Sequence, residues 1–312
     1  MQYKKKNGLA EFIHALRMDT LIYIMLIPGI AWFLLFKYVP MYGVTIAFRN
    51  YNVFQGFSNA PFVGLDVFRK LFSYTDFWNA FRNTIILSLM KLVCGFPVPI
   101  LLSLMINEIR HSSIKKFVQT AVLLPNFISW VVMGIVIYMI FSPSSGAIAA
   151  MMRSLGYEGA MPNLLTNKAT FRWVLVYSDV WKSAGYGTII YLGVIVGIDP
   201  TLYEAAQIDG AGWLKSIWHV TLPGLRPTIV ILLIFRMGAL MNVGFEQIFV
   251  MTNPLVNPVA EILDTYVYKI GMSNRQYSLA MAASLFKSAI CFVLVLVTNT
   301  LSNKIEPGSG IM

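Results

Sequence analysis

The sequence predicts an all-α polytopic membrane protein with about six transmembrane helices. Three observations carry this. Hydrophobic residues make up 57% of the 312-residue chain. Charged residues make up only 12%, against roughly 25% in a soluble domain. Finally, several apolar runs reach the roughly 17–25 residues that a helix needs to cross a hydrocarbon core. A soluble chain this apolar has too few polar side chains to cover its surface.

Six runs qualify: 20–36, extendable to Val39, then 83–106, 117–141, 171–198, 228–251 and 277–301. Helix is the expected state of each, because an isolated strand in lipid leaves its backbone unpaired. The alternation of a barrel strand is absent. The first run follows a basic start but contains Pro28-Gly29 and has no Ala-x-Ala cleavage site, so it reads as a retained span. Residues 1–19 and 302–312 then form a cytoplasmic N-terminal segment and tail around one transmembrane domain, 20–301.

Orientation follows the basic residues. The segments placed inside, 1–19, 107–116, 199–227 and 302–312, hold 10 Lys/Arg in 69 residues; those placed outside hold 9 in 100. Lys4, Lys5 and Lys6 and the cluster Arg110, Lys115, Lys116 favour a cytoplasmic N-terminus. The formal charge of +10 is spread in this anchoring pattern and makes no groove-sized patch, which argues against nucleic acid. In the first outer segment, residues 64–72 read as a short amphipathic helix, either an interfacial docking surface or part of a packed cap.

The segment 199–227 is long for a cytoplasmic link and reads DPTLYEAAQIDGAGWLKSIWHVTLPGLRP. Asp199 suits an N-cap and Pro200 the first helical position. A short helix over 202–208 is ended by Asp209-Gly210. A second, amphipathic stretch over 213–219 carries Trp213, Ile217 and Trp218. This is a compact helix–turn–helix beside the membrane. Ala205, Ala206, Gly210 and Ala211 keep its surface low, which suits a groove on a partner. An interfacial helix that only caps the bundle has the same pattern.

Glu204-Ala205-Ala206, Asp209-Gly210-Ala211, Trp213, Leu222-Pro223 and Pro227 together resemble the EAA motif of ABC importer permeases. Trp218 stands at the large residue late in that motif, and Val220 stands where isoleucine is frequent. Stretches 62–68, 77–84, 244–254 and 261–268 are similar to sugar-type permeases, the last two to a polysaccharide-permease branch of Gram-positive bacteria that includes importers of uronate-containing oligosaccharides. The resemblance implies a type I importer. Its parts are this permease and a second one (a paralogue by the family pattern), two copies of a cytoplasmic ABC ATPase and an extracellular substrate-binding lipoprotein, in a bacterial plasma membrane. It also implies that Glu204 to Ala211, with Trp213, Leu222 and Pro223, couple to the ATPase. No cofactor belongs to this chain; ATP and Mg²⁺ belong to the ATPase.

Ionisable groups at bilayer depth are costly and mark pathways or interhelical pairs. The candidates are Lys91, Asp179, Lys182, Arg236, Glu246 and Lys287. Asp179, Lys182 and Tyr186 share a helix face, as do Asn242 and Glu246, and Trp181 adjoins the first set. These residues suit a carbohydrate path of hydrogen-bonding groups and an aromatic surface. Structural ion pairs and snorkelling account for the same pattern. Four basic residues against two acidic ones favour an anionic substrate.

No GxxxxGK[ST] phosphate loop, HExxH or GxSxG occurs. His14, His111 and His219 are scattered, and Cys94 and Cys291 sit in apolar runs, so neither an enzyme nor a metal or disulfide framework is indicated. The competing readings are an ion-gradient carrier, which needs a coupling-ion site at broken helices, a membrane-embedded enzyme, and a permease of the same fold for a non-sugar solute.

Overall fold

The computed structural model describes residues 20–159 and 161–305. The expected cytoplasmic segment 1–19 and tail residues 306–312 lie outside the described residues. Among these residues the chain is almost entirely helical, with no strand beyond one bridge between Arg49 and Phe62. Four helices are long and apolar enough to span a membrane: Thr20–Phe48, Thr75–Asn107, Trp213–Gly238 and Tyr277–Thr300. Two bent pairs raise the number to six.

Prolines account for most departures from straight helix. A proline ring clashes with the carbonyl four residues earlier and supplies no N–H. In the first span, α1 (Thr20–Phe33) gives way to a π turn, Leu34–Tyr38, and a 3-10 stretch, Val39–Phe48, around Pro40. The span therefore runs further than its hydropathy suggests. α2 (Asp66–Ser73) is the expected amphipathic helix, burying Val67 and Leu71. The second span is α3 (Thr75–Gly95) and α4 (Pro97–Asn107), joined at Phe96 where Pro97 and Pro99 follow. Pro223 has the same effect later: α10 (Trp213–Ser216) passes through a π turn, Ile217–Thr221, into α11 (Leu222–Gly238).

Two expected straight spans are broken. The run 117–141 is α5 (Ser112–Leu123), a 3-10 turn Leu124–Phe127 and α6 (Trp130–Phe141), with a bend of 106°. Pro125 withholds a donor at the bend, and Ser129 caps α6 by accepting from Val132 N. The run 228–251 also fails as one helix. The fifth span begins at Trp213 and ends at Gly238, and α12 (Phe245–Met251) follows a non-helical link in which Gly244 has φ 99°.

α7 (Ala147–Ser154) lies in the connection between α6 and the next long helix. α8 (Lys168–Val196) is the central helix and packs against α3, α4, α5, α11 and the 124–127 turn. Gly185 makes its approach to α5 possible: a Cβ there would lie 2.2 Å from the Val122 carbonyl oxygen. Small residues serve this purpose in membrane bundles. α9 (Pro200–Ile208) turns 71° away from α8. After α13 (Asn257–Ala260) and α14 (Leu263–Tyr268), the last helix α15 (Tyr277–Ile305) packs against Val39–Phe48, α2, α11 and α14. Phe72, Phe77, Phe81, Trp78, Tyr266 and Phe286 fill the space between α2, α3, α14 and α15 with edge and tilted ring contacts.

Candidate functional site: an exposed knob and a buried charge cluster

The knob is α9, its turn and α10. The Asp199 side chain accepts from Thr201 N at 3.0 Å, and this hydrogen bond holds its carboxyl below the usual carboxylate range. The turn closes as a Schellman motif: Ala211 N donates to Ala206 O at 2.8 Å and Gly210 N to Gln207 O at 3.0 Å. Gly210 has φ 75°, a conformation that costs other residues roughly 1–2 kcal/mol. No atom comes within 4 Å of where its Cβ would stand, so the glycine answers the backbone angle and not crowding within this chain. Tyr203 Oη and Thr221 Oγ1, 3.0 Å apart, tie α9 to the foot of the fifth span. Glu204, Ala205, Asp209, Gly210, Trp213 and Pro223 are exposed, while Ala206, Ala211 and Leu222 are half-buried. Leu202, Leu214 and Trp218 are exposed too, and Ile208 is 87% exposed. These apolar groups are turned outward on a compact, hydrogen-bonded turn and are left uncovered by the chain itself.

The second locus lies at mid-depth. Lys91 is the central residue of the Thr75–Asn107 span and is 4% exposed. Its ammonium donates to Val243 O at 2.6 Å and to Gln247 Oε1, and pairs with Asp179 Oδ1 at 3.1 Å. Asp179 Oδ2 faces Arg236 Nη2 at 3.8 Å. Gln247, fully buried, donates onward to Leu175 O and Ser178 Oγ. This network joins α3, α8, α11 and the link before α12. It also explains the link: the Val243 carbonyl has lost its helical partner and takes Lys91 instead.

Lys182 does the same for the other break. Its ammonium donates to the carbonyls of Pro125, Asn126 and Ile128 and lies 5.6 Å from the centre of the Trp130 ring. Lys287 pairs with Asp264 on α14. Glu246, Asn242 and Tyr186 are exposed. Trp181 belongs to a stripe with Trp173 and Tyr177 along α8, lining an apolar groove of about 400 Å³ beside α6. Of the candidate path residues, the structure thus brings together Lys91, Asp179 and Arg236. It places Lys182 and Lys287 in separate contacts.

Sequence reasoning missed Gln247, Asp264 and the pair Asn83–Arg172. Asn83 donates to Pro258 O and Glu261 O, and Arg172 donates to Asn83 Oδ1 at 2.7 Å. The signal for Gln247 was an amide in an apolar run, since such a group must find partners.

Spanning helices around buried charges, with an exposed helix–turn–helix at one end, fit a membrane permease. The chain belongs to the family of binding-protein-dependent transport system inner membrane components, whose model matches residues 95–308. It is 40% identical to protein LplB of Bacillus subtilis, over 95% of this chain and 92% of that one. It is 41% identical to the polygalacturonan/rhamnogalacturonan transport system permease protein YteP of the same species, over 96% and 93%. A solved bacterial ABC transporter involved in import of the acidic polysaccharide alginate contains a chain with TM-score 0.87 and 39% identity, covering 95% of this chain and 99% of that one. A second structure of a bacterial alginate ABC transporter, in complex with an alginate-pentasaccharide-bound periplasmic protein, gives 0.86 and 39%, over 94% and 98%. Family membership decides for an ABC importer permease over an ion-gradient carrier or an embedded enzyme. Among the described residues no group of His, Cys, Asp and Glu could hold a metal ion.

Proposed function

We propose that this permease serves an importer of acidic, uronate-bearing oligosaccharides. The observation that carries the reading is the likeness, near-complete in length and close to 40% in identity, to permeases named for polygalacturonan/rhamnogalacturonan and alginate. Two cations against one carboxylate at mid-depth support it. In this reading residues 20–301 form one permease domain with both termini cytoplasmic. A paralogous permease completes the path, and an extracellular binding lipoprotein delivers the sugar. Two ABC ATPase subunits hold ATP and Mg²⁺ and do the hydrolysis. Glu204, Ala205, Ala206, Asp209, Gly210, Ala211 and Trp213 seat in a groove of the ATPase, with Leu222 and Pro223 joining that seat to the fifth span. The outward-facing apolar groups of α9 and α10 support this docking. Lys91, Asp179, Arg236, Glu246, Asn242, Trp181, Lys182, Tyr186 and Lys287 border or brace the path.

The test is purification of the tagged chain from its native membrane in detergent, with identification of what accompanies it. An ATPase, a second permease and a binding lipoprotein whose bound sugar carries carboxylates are expected. A lipoprotein that retains only neutral sugars would remove the acidic substrate, and absence of an ATPase would remove the docking assignment.

A further inference from the structure

The mid-depth charges divide into a spent cation and an unspent one. An ammonium has three donors, and Lys91 has three acceptors: Val243 O, Gln247 Oε1 and Asp179 Oδ1. It is buried and turned wholly inward. Arg236 differs on each count. Its side chain is 45% exposed. At 3.8 Å its nearest contact with Asp179 is longer than a hydrogen bond, so the five guanidinium donors are not consumed by it. Among the described residues Asp179 is the only acidic side chain within ion-pairing distance of Arg236, and Lys91 already claims that carboxylate.

Two cations and one anion leave one positive charge in excess, carried by Arg236 in the last turn of α11 beside the helix break that follows. An excess charge there is costly unless it borders water or meets an opposite charge. The exposed guanidinium is where this excess can be neutralised. Arg236 stands two residues before the end of α11 at Gly238, beside the non-helical link 239–244. Its planar fork matches a carboxylate in bidentate fashion, which an ammonium cannot do.

The geometry points to Arg236 as the side chain that selects for carboxylate-bearing sugars as they pass, with Asp179, itself held by Lys91, as its acidic neighbour. The assignment rests on the acidic-oligosaccharide reading above and adds to it a residue and a mode of recognition. Lys91 is a strut for the helix break and makes no substrate contact. Asp179 keeps the guanidinium from being satisfied within the protein by lending it only a long, shared contact. A passing uronate then gains hydrogen bonds that a neutral hexose of the same shape does not.

The experiment uses the complete permease–ATPase assembly in lipid nanodiscs, with the binding protein omitted so that the preference read is the permease's own. Binding of a tetragalacturonate and of its carboxyl-reduced counterpart is compared in wild type, Arg236→Gln and Arg236→Lys. The expected result is a wild-type preference for the acid that falls about tenfold in Arg236→Gln and is partly kept in Arg236→Lys. A merely structural arginine would lower both affinities and leave their ratio unmoved, so an unchanged ratio in Arg236→Gln overturns the assignment. Wild type that favours the acid while Arg236→Gln does so equally removes Arg236 alone. Wild type that binds both ligands equally removes the acidic-substrate reading and this assignment together. Wild type that binds neither overturns the assignment.

Discussion

The buried cluster around Lys91 and the exposed knob around Gly210 are opposite solutions to placing polar or strained groups in a membrane protein. In the cluster every donor of Lys91 has an acceptor and Gln247 uses both ends of its amide, so the chain satisfies itself. In the knob the polar backbone is satisfied by a Schellman turn and an N-cap, but Leu202, Ile208, Trp213, Leu214 and Trp218 face outward uncovered. Around Lys91 and Gln247 the first region is finished within one polypeptide, with Arg236 left over at its edge. The second leaves its apolar groups open, as the proposed docking onto an ATPase requires. Damage to the cluster should therefore appear as loss of stability, and damage to the knob as loss of coupling.

The largest effect is expected from Lys91→Met, which strands the Val243 carbonyl and the Gln247 oxygen and leaves Asp179 without its close partner. Removing one member of a buried pair costs about 3–5 kcal/mol. Thermal unfolding of the assembly should shift markedly, and an unchanged midpoint would show that the cluster does not hold the break together. Gly185→Ala comes next. It forces a Cβ against the Val122 carbonyl, and overpacking of this kind costs about 1–3 kcal/mol. The same unfolding measurement should register it, whereas Gly193→Ala on the same helix, with open space around the added Cβ, should not. Gly210→Val places a β-branched residue at φ 75°, a strain of roughly 1–2 kcal/mol confined to the turn. Substrate-stimulated ATP hydrolysis should fall more than the unfolding midpoint, and Gly210→Asn, which tolerates that angle, should recover part of it. If the midpoint falls and coupling does not, the contrast between the two regions is wrong. The smallest effect is Tyr203→Phe, which removes one hydrogen bond to Thr221, worth about 1 kcal/mol. Hydrogen exchange of α9 should quicken slightly.

Much of this was legible in the residues. Composition and run length gave the helical membrane class. Asp199-Pro200 and Gly210 marked both ends of α9, because capping and positive φ are local requirements that one or two residue types meet. The breaks at 124–129 and 239–244 were not legible. Pro125 was visible, yet a proline in a membrane helix bends it or not according to whether freed carbonyls find donors. Those donors came from Lys182 and Lys91, far away in sequence. The second run contains no proline between Thr228 and Met251, so hydropathy carried straight across it. The same remoteness hid the division of labour among the charged residues: spacing put Asp179 and Lys182 on one helix face, but only packing shows that they serve different breaks.

Lys182 has a consequence for how the bend between α5 and α6 is kept dry. Three convergent backbone oxygens, from Pro125, Asn126 and Ile128, are the kind of cage that strips water from sodium or potassium. Here the cage is already filled by a cation that is covalently attached and cannot leave. The bend therefore needs neither water nor a solute ion to satisfy these three carbonyls: the chain brings its own cation to them, and the kink is closed by a group 54 to 57 residues away in sequence.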